Sequence, residues 1–97
     1  MTGAVSPEAP LWLWLHAEDN VAMALSDFTQ GSAIEVGDTR ITFADDIAYG
    51  HKFAVRRIAA EAPVIKFAET IGVAKRNIDV GEHVHVHNIS SLRAGKQ

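Results

Sequence analysis

Apolar residues along this chain come in short runs, and none of the runs continues as a long helical pattern. The first run, Leu11–His16, is too short for a helix that buries itself, and its two tryptophans favour a strand. Trp12 and Trp14 would lie on one face of that strand, with leucines on the other face. That second face is either covered or meets a partner. After an Asp-Asn turn, Val21–Leu25 predicts another short strand.

Glycines then divide the chain into brief segments rich in β-forming residues. The strands predicted between these glycines are Glu35–Val36, Arg40–Phe43, Val64–Phe67 and His83–His87. Phe43–Tyr49 and Phe53–Ala62 are candidates for a helical turn, although the latter also fits a strand followed by a turn. No internal repeat is apparent. The pattern predicts a compact, mainly β fold of many short strands with one or two short helices.

The length and composition restrict the function. The 97 residues are enough for one domain, predicted over residues 11–91 between tails at 1–10 and 92–97. We expect no deep substrate pocket with walls of its own in such a small domain. A net charge of −3 argues against a nucleic-acid partner.

The sequence predicts no targeting or membrane-spanning segment. Residues 1–10 contain no basic residue, and the apolar stretch 11–15 is far shorter than a signal or membrane core. The chain has no cysteine, which excludes disulfides and thiolate metal sites. We therefore expect a soluble, cytoplasmic protein that does not associate with a membrane.

The most informative segment for chemistry is the alternating run His83-Val84-His85-Val86-His87. On a strand, residues two apart share a face at roughly 6.5–7 Å, so the histidines would line one face and both valines would be buried. Neutral imidazole is a common ligand of divalent metals, and a His-x-His pair can reach one ion. All three are too far apart to bind one ion easily, since the outer two lie about 13 Å apart. The alternative is a polar strand face whose imidazoles bond to neighbours or water.

Other candidates lie in turns. In Gly50-His51-Lys52, the glycine allows a tight turn that projects a proton-exchanging imidazole and a carboxylate-binding ammonium group. The alternative is a solvated turn without a functional role. Lys66 stands within an apolar run, where it either reaches water along its stem or meets an anion. His16, Glu18, Asp19 and Asn20 cluster at the first turn, where they form either a ligand set or a plain turn.

Taken in order, these motifs resemble the N-terminal SAF domain of the altronate dehydratase family, a β-clip fold. The strings that carry the resemblance are His16 with Asp19–Leu25, Gly50–Ala54, Val64–Phe67, Ile71-Gly72 and Gly81–Asn88. The resemblance extends from Leu11 to about Ser91, nearly the whole predicted domain.

The resemblance implies a lyase that removes water from a sugar acid and requires Fe²⁺ or Mn²⁺. The chain would be a small subunit or an N-terminal fragment that assists a large catalytic subunit and is inactive alone. The alternatives are the small subunit of a sulfolactate sulfo-lyase and a non-catalytic carbohydrate-binding or interaction module. A homo-oligomer is a further option for its assembly.

Resemblance and side-chain chemistry together assign roles to the candidate residues. The proposed catalytic residues near the substrate carboxylate are His51 and Lys52. The proposed substrate-binding residues are His16, Asp19, Asn20, Lys66 and Asn88. The proposed metal ligands, with further ligands from the partner, are His83, His85 and His87.

Two positions depart from the family pattern. Lys66 is followed by Phe67-Ala68 where the family usually has tyrosine-glycine, and Glu61 replaces a glycine in the preceding turn. Because glycine often serves a positive φ, the replacement at Glu61 predicts a reshaped turn.

Overall fold

The computed structural model describes residues 11–91, and both predicted tails lie outside the described residues. This part of the chain contains nine short strands and no helix, which confirms the mainly β prediction. The strands are β1 (Trp12–Leu13), β2 (Val21–Ala24), β3 (Ala33–Val36), β4 (Thr39–Thr42), β5 (Lys52–Ala54), β6 (Pro63–Lys66), β7 (Glu69–Ala74), β8 (His83–Val84) and β9 (Ile89–Ser91). Between positions 11 and 91, no helix of the length and apolarity needed to cross a membrane is found.

All strand pairs are antiparallel and form three small sheets. The central sheet has the order β1-β2-β5-β8, β3 and β4 form a hairpin, and β6-β7-β9 make the third sheet. β5 pairs with β2 along one edge and with β8 along the other. This pairing explains why Phe53–Ala62 starts as a strand and not as a helix. Phe43–Tyr49 also forms no helical turn, because Ile47 forms an isolated β-bridge with Phe28.

The two faces of the central sheet cover two separate cores, which we call the aromatic half and the aliphatic half. In the aromatic half, Phe53 packs edge-on against Phe43 and Phe28, with ring centroids 5.0 and 6.1 Å apart. Its buried core comprises Ala22, Ala24, Val36, Ile41, Phe43, Ile47, Phe53 and Val55. The buried core of the aliphatic half comprises Val21, Ala54, Ile58, Val64, Ala74, Ile78 and Val84. Alternation along β2 and β5 divides their side chains between the two cores.

The first predicted strand is shorter than expected. β1 covers only Trp12–Leu13, and at Trp14 the indole Nε1 donates to the carbonyl of Asp19 at 3.1 Å. The two tryptophans nevertheless pack against the aromatic core, as one shared face predicts. Leu11 and Leu15 are half exposed on the other side.

Four turns share one plan that the sequence analysis did not recognise as a repeat. In each turn, an apolar bridge residue is followed three positions later by a residue with positive φ. The bridge residues are Phe28, Ile47, Ile58 and Ile78, paired as Phe28 with Ile47 and Ile58 with Ile78. The positive-φ residues are Gly31, Gly50, Glu61 and Gly81. The four turns share this spacing but few identical residues, which explains why the sequence shows no obvious repeat.

Glu61 does not reshape its turn, contrary to the prediction. Its φ of 70° lies in the same left-handed region as the 90° of Gly31, so the turn keeps its form without glycine. Gly81, by contrast, has no room for a side chain, because an added Cβ would lie 2.0 Å from the carbonyl oxygen of Thr42.

Candidate functional site: an imidazole cluster beside a polar groove

The Gly-His-Lys turn and the histidine run come together because β5 pairs with β8. In this pairing Phe53 opposes His83, and Lys52 opposes Val84. Opposed residues share a face of a sheet, so His83 lies on the face of Phe53. His51 precedes Phe53 by two positions and lies on that same face.

Four imidazoles meet at this edge of the central sheet, and we call His51, His83, His85 and His87 the imidazole cluster. His51 Nδ1 and His83 Nε2 are 2.8 Å apart, which is hydrogen-bonding distance. The His51 and His85 rings stack with centroids 5.2 Å apart, and His87 lies 5.2 Å from His83. The 2.8 Å bond needs one nitrogen as donor and the other as acceptor, so at least one of these two rings is not protonated on both nitrogens.

The electrostatics of the cluster favour neutral imidazole at its centre. Burial lowers the pKa of His83, and the neighbouring His51, His87 and His85 lower it further, against an opposite effect of Asp45. Neutral imidazole is the form that accepts a proton or binds a metal.

The histidine run leaves the sheet earlier than the alternation predicts. β8 ends at Val84, and Asn88 holds the following residues in a turn: its Oδ1 accepts from His85 N–H, and its Nδ2 donates to the carbonyl of His83. Val84 is buried as predicted, but Val86 is 71% exposed, so the prediction that both valines are buried is wrong for Val86. The turn brings the imidazoles closer together than an extended strand would, since the His83 and His87 centroids are 5.2 Å apart.

A polar groove of about 450 Å³ opens beside the cluster. Its lining residues are Ala44, Asp45, Arg76, Glu82, His83 and His87. Asp45 Oδ2 accepts from the backbone N–H of His83 at 3.0 Å, which joins the groove to β8. Sequence reasoning missed Asp45, Arg76 and Glu82 as site residues. Only the proximity of Glu82 to the histidine run could have indicated one of them.

Lys52 lies on the opposite face of the central sheet from His51. Its cross-strand partners are Met23 and Val84, and Val84 belongs to the aliphatic core. Burial lowers the pKa of Lys52, and the charge of Lys66 lowers it further. The Lys66 ammonium lies 4.8 Å from the centroid of the Phe67 ring. The two predicted catalytic residues are therefore divided between the faces, because consecutive strand residues point in opposite directions.

Asp19 and Asn20 tie the β6–β7 hairpin to β2. Asp19 Oδ1 accepts from Ala68 N–H at 2.7 Å, and Asn20 Oδ1 accepts from Ile65 N–H at 2.7 Å. Asp19 is fully buried. Although burial raises its pKa, the backbone N–H groups of Ala68, Phe67, His16 and Leu15 more than offset this, and the pKa of Asp19 falls below its ordinary value.

The substrate contacts that the sequence analysis assigned to His16, Asp19, Asn20, Lys66 and Asn88 stay predictions. Neither Asp19 nor Asn88 reaches solvent in the domain, so a substrate contact with either would require the chain to open. His16 is exposed, and its backbone N–H donates to Asp19 Oδ2 at 3.3 Å.

The imidazole cluster fits a metal only as part of a ligand set. Within residues 11–91, no three His, Cys, Asp or Glu side chains are arranged to hold an ion together. The His51–His83 hydrogen bond and the stacked rings show why, since the four imidazoles face one another instead of a common point.

Short antiparallel strands, paired turns and three small sheets define this chain as a β-clip domain. Comparison with known families then identifies it more closely. The family model for the altronate/galactarate dehydratase SAF domain matches residues 10–92. The chain therefore belongs to that family.

Its curated relatives include whole enzymes and small subunits. The chain is 46% identical over 77 residues to altronate dehydratase of Escherichia coli (strain K12), a match that covers 79% of this chain and 16% of that protein. It is 39% identical over 74 residues to altronate dehydratase of Bacillus subtilis (strain 168), a match that covers 76% of this chain and 15% of that protein. It is 43% identical over 56 residues to the (2R)-sulfolactate sulfo-lyase subunit alpha of Paracoccus pantotrophus, a match that covers 58% of this chain and 84% of that subunit. The chain thus spans about one sixth of the altronate dehydratases it matches.

Proposed function

We propose that this chain is the small subunit or N-terminal domain of a sugar-acid dehydratase and completes an active site on a larger catalytic chain. The observation that carries the proposal is the imidazole cluster, which unites the two histidine motifs at one partly open edge of the central sheet. The altronate dehydratases it resembles are about six times longer than the matched region, which leaves room for a catalytic region outside it.

Loss of water next to a carboxylate needs a cation that stabilises the developing negative charge and an acid that assists the leaving hydroxyl. We assign proton transfer to His51, whose ring is hydrogen-bonded to His83. His83, His85 and His87 would supply part of the ligand set for Fe²⁺ or Mn²⁺, completed by the partner. When bound, such an ion supplies charge stabilisation. On this assignment the Lys52 side chain makes no contact with the reacting atoms, because it lies on the other face of the central sheet.

A second candidate is the alpha subunit of a sulfo-lyase. It is favoured by the share of the relative that is matched, since this chain covers 84% of the Paracoccus pantotrophus subunit. Both candidates require a larger partner chain, and they differ in the leaving group, which is hydroxide in one and sulfite in the other.

The test is reconstitution with a large dehydratase chain, followed by assays with D-altronate, galactarate and (2R)-sulfolactate. We expect turnover of a sugar acid by the complex and none by the 97-residue chain alone. Turnover that follows the isolated chain through purification would contradict the accessory role. Turnover of (2R)-sulfolactate alone would favour the second candidate, and a complex inactive on all three substrates would favour a non-catalytic module.

His85→Ala is the variant that tests the cluster. Its ring is half-buried and stacked on His51, so its removal should reduce kcat of the complex by about 10²–10⁴-fold, as loss of a proton-transfer or ligand group does. Glu35→Gln, an isosteric change on the β3–β4 hairpin, should leave kcat unchanged. The thermal midpoint of His85→Ala should remain close to that of the parent chain. Full activity of this variant would remove the cluster from the site.

A further inference from the structure

The groove beside the imidazole cluster contains one cationic side chain besides its histidines. Among the described residues that line the groove, Arg76 is the only lysine or arginine. Lys52, the residue to which sequence reasoning assigned the substrate carboxylate, is not part of that lining. A carboxylate bound beside His83 and His87 would therefore meet Arg76.

Among residues 11–91, the Arg76 guanidinium makes only weak contacts. Its Nη1 lies 3.4 Å from Glu82 Oε1 and 3.5 Å from the carbonyl of Asn77, both longer than a normal charge-assisted hydrogen bond. The Arg76 side chain is 54% exposed. Its remaining donors are available to a ligand.

Glu82 determines where the guanidinium lies. The Glu82 carboxylate is only 20% exposed, and its Oε2 accepts from Asp79 N–H at 3.1 Å. The other oxygen, Oε1, faces Arg76. Glu82 thus links Arg76 to the turn that ends at Gly81, and through that turn to the start of β8.

We propose that this groove binds a polyhydroxy carboxylate, that Arg76 receives its carboxylate group, and that Asp45 and Glu82 accept hydrogen bonds from its hydroxyls. The inference rests on the proposed function and adds the residues that select the substrate. Arginine presents two parallel N–H donors that match a carboxylate, a geometry that lysine lacks. Because the Asp45 and Glu82 carboxylates only accept, they suit hydroxyl donors and disfavour a second anionic group nearby. The groove thus fits a sugar acid with one carboxylate better than a dianionic sulfonated acid.

The first experiment uses the whole chain alone. NMR shifts are recorded during titration with D-altronate and with D-altritol, the corresponding polyol without a carboxylate. D-altronate should shift the signals of groove residues much more than D-altritol does, and Arg76→Ala should abolish this difference. Arg57→Ala is the matched control, because Arg57 is an exposed arginine with one 3.4 Å ion pair, to Asp79, outside the groove. No difference between the two ligands with the parent chain would overturn the inference.

The second experiment measures KM in the reconstituted complex. Arg76→Ala should raise KM for the sugar acid by about 10–100-fold, the usual effect of losing a charge-assisted pair. Arg76→Lys should recover part of the loss, while Arg57→Ala should leave KM within about twofold. Equal KM values for Arg76→Ala and Arg57→Ala would refute the role of Arg76. That result would leave the proposed function intact, because that function depends on turnover by the unmodified complex.

Discussion

The aromatic half and the aliphatic half hold their paired turns by different means. In the aromatic half, both positive-φ positions are glycine, and two aspartates bind across the pair: Asp27 accepts from Tyr49 N–H and Asp46 from Gln30 N–H, each at 2.8 Å. In the aliphatic half, Asn77 accepts from Ala60 N–H at 2.9 Å. The equivalent position on the other turn is Arg57, whose side chain has no acceptor for a return bond.

Backbone strain is confined to the aliphatic half. The described chain has three non-glycine residues with positive φ, and all of them lie there: Glu61, Phe67 and Ala68. Phe67 and Ala68 form the two-residue turn between β6 and β7, where asparagine and glycine are usually preferred. The buried Asp19 carboxylate binds the Ala68 N–H and holds this turn. The imidazole cluster thus takes His51 from an unstrained, reciprocally bonded turn of the aromatic half, whereas its other histidines follow the Gly81 turn of the aliphatic half.

The largest expected effect comes from comparing a substitution in the aromatic core with one in the aliphatic core. Phe53→Ala should lower the free energy of unfolding by about 3–5 kcal/mol, since Phe53 packs against two other rings and a cavity would remain. Val84→Ala, on the strand directly opposite, should cost about 2 kcal/mol for the loss of two buried methyl groups. Urea denaturation measures both values. Equal losses would show that the aromatic core is not the more stabilising of the two.

The next effect concerns the buried charge. Asp19→Asn should destabilise the domain by about 2 kcal/mol at pH 7, because an amide replaces a carboxylate that accepts several backbone N–H bonds. The folded-state pKa of Asp19 lies below its ordinary value of 3.8. The stabilisation is therefore fully present above pH 3.8 and is lost as the pH falls through the lower folded value.

Thermal unfolding of the parent chain and Asp19→Asn across this pH range checks the prediction, and their difference should shrink only below pH 3.8. Asp38→Asn, at an exposed position, is the control and should change stability by less than about 0.5 kcal/mol. A pH-independent difference for Asp19→Asn would argue against the charge as the stabilising feature.

The smallest expected effect is a gain. Glu61→Gly should stabilise the domain by about 0.5–1 kcal/mol, because relief of the left-handed conformation exceeds the added entropy of the unfolded chain. Gly31→Ala is the opposite change in the aromatic half. An alanine Cβ would meet open space there, yet the φ of 90° should lower the free energy of unfolding by about 1 kcal/mol. Thermal midpoints of both variants and of the parent chain measure these changes. A loss of stability in Glu61→Gly would mean that the Glu61 side chain makes a favourable contribution greater than the strain.

Much of the fold follows from local features of the sequence. Short apolar runs separated by glycine predict short strands such as β2 and β6, because strand preference depends on a few neighbouring residues. The resemblance carried by the histidine motifs also identified the family. Where local preference was ambiguous, as at Phe53–Ala62, pairing on both edges of β5 decided in favour of a strand.

Tertiary structure alone decided which side chains meet. His51 and Lys52 are adjacent in sequence but lie on opposite faces, whereas His51 and His83 are 32 positions apart and hydrogen-bonded. Asp45 and Arg76 join the groove through long-range pairing that no local pattern encodes. Asn88 likewise ends β8 through a turn that overrides the alternation and exposes Val86. The sequence by itself thus determined the family and most of the described strands, because these depend on neighbouring residues. The form of the remaining strands and the composition of the site depended on which strand edges pair.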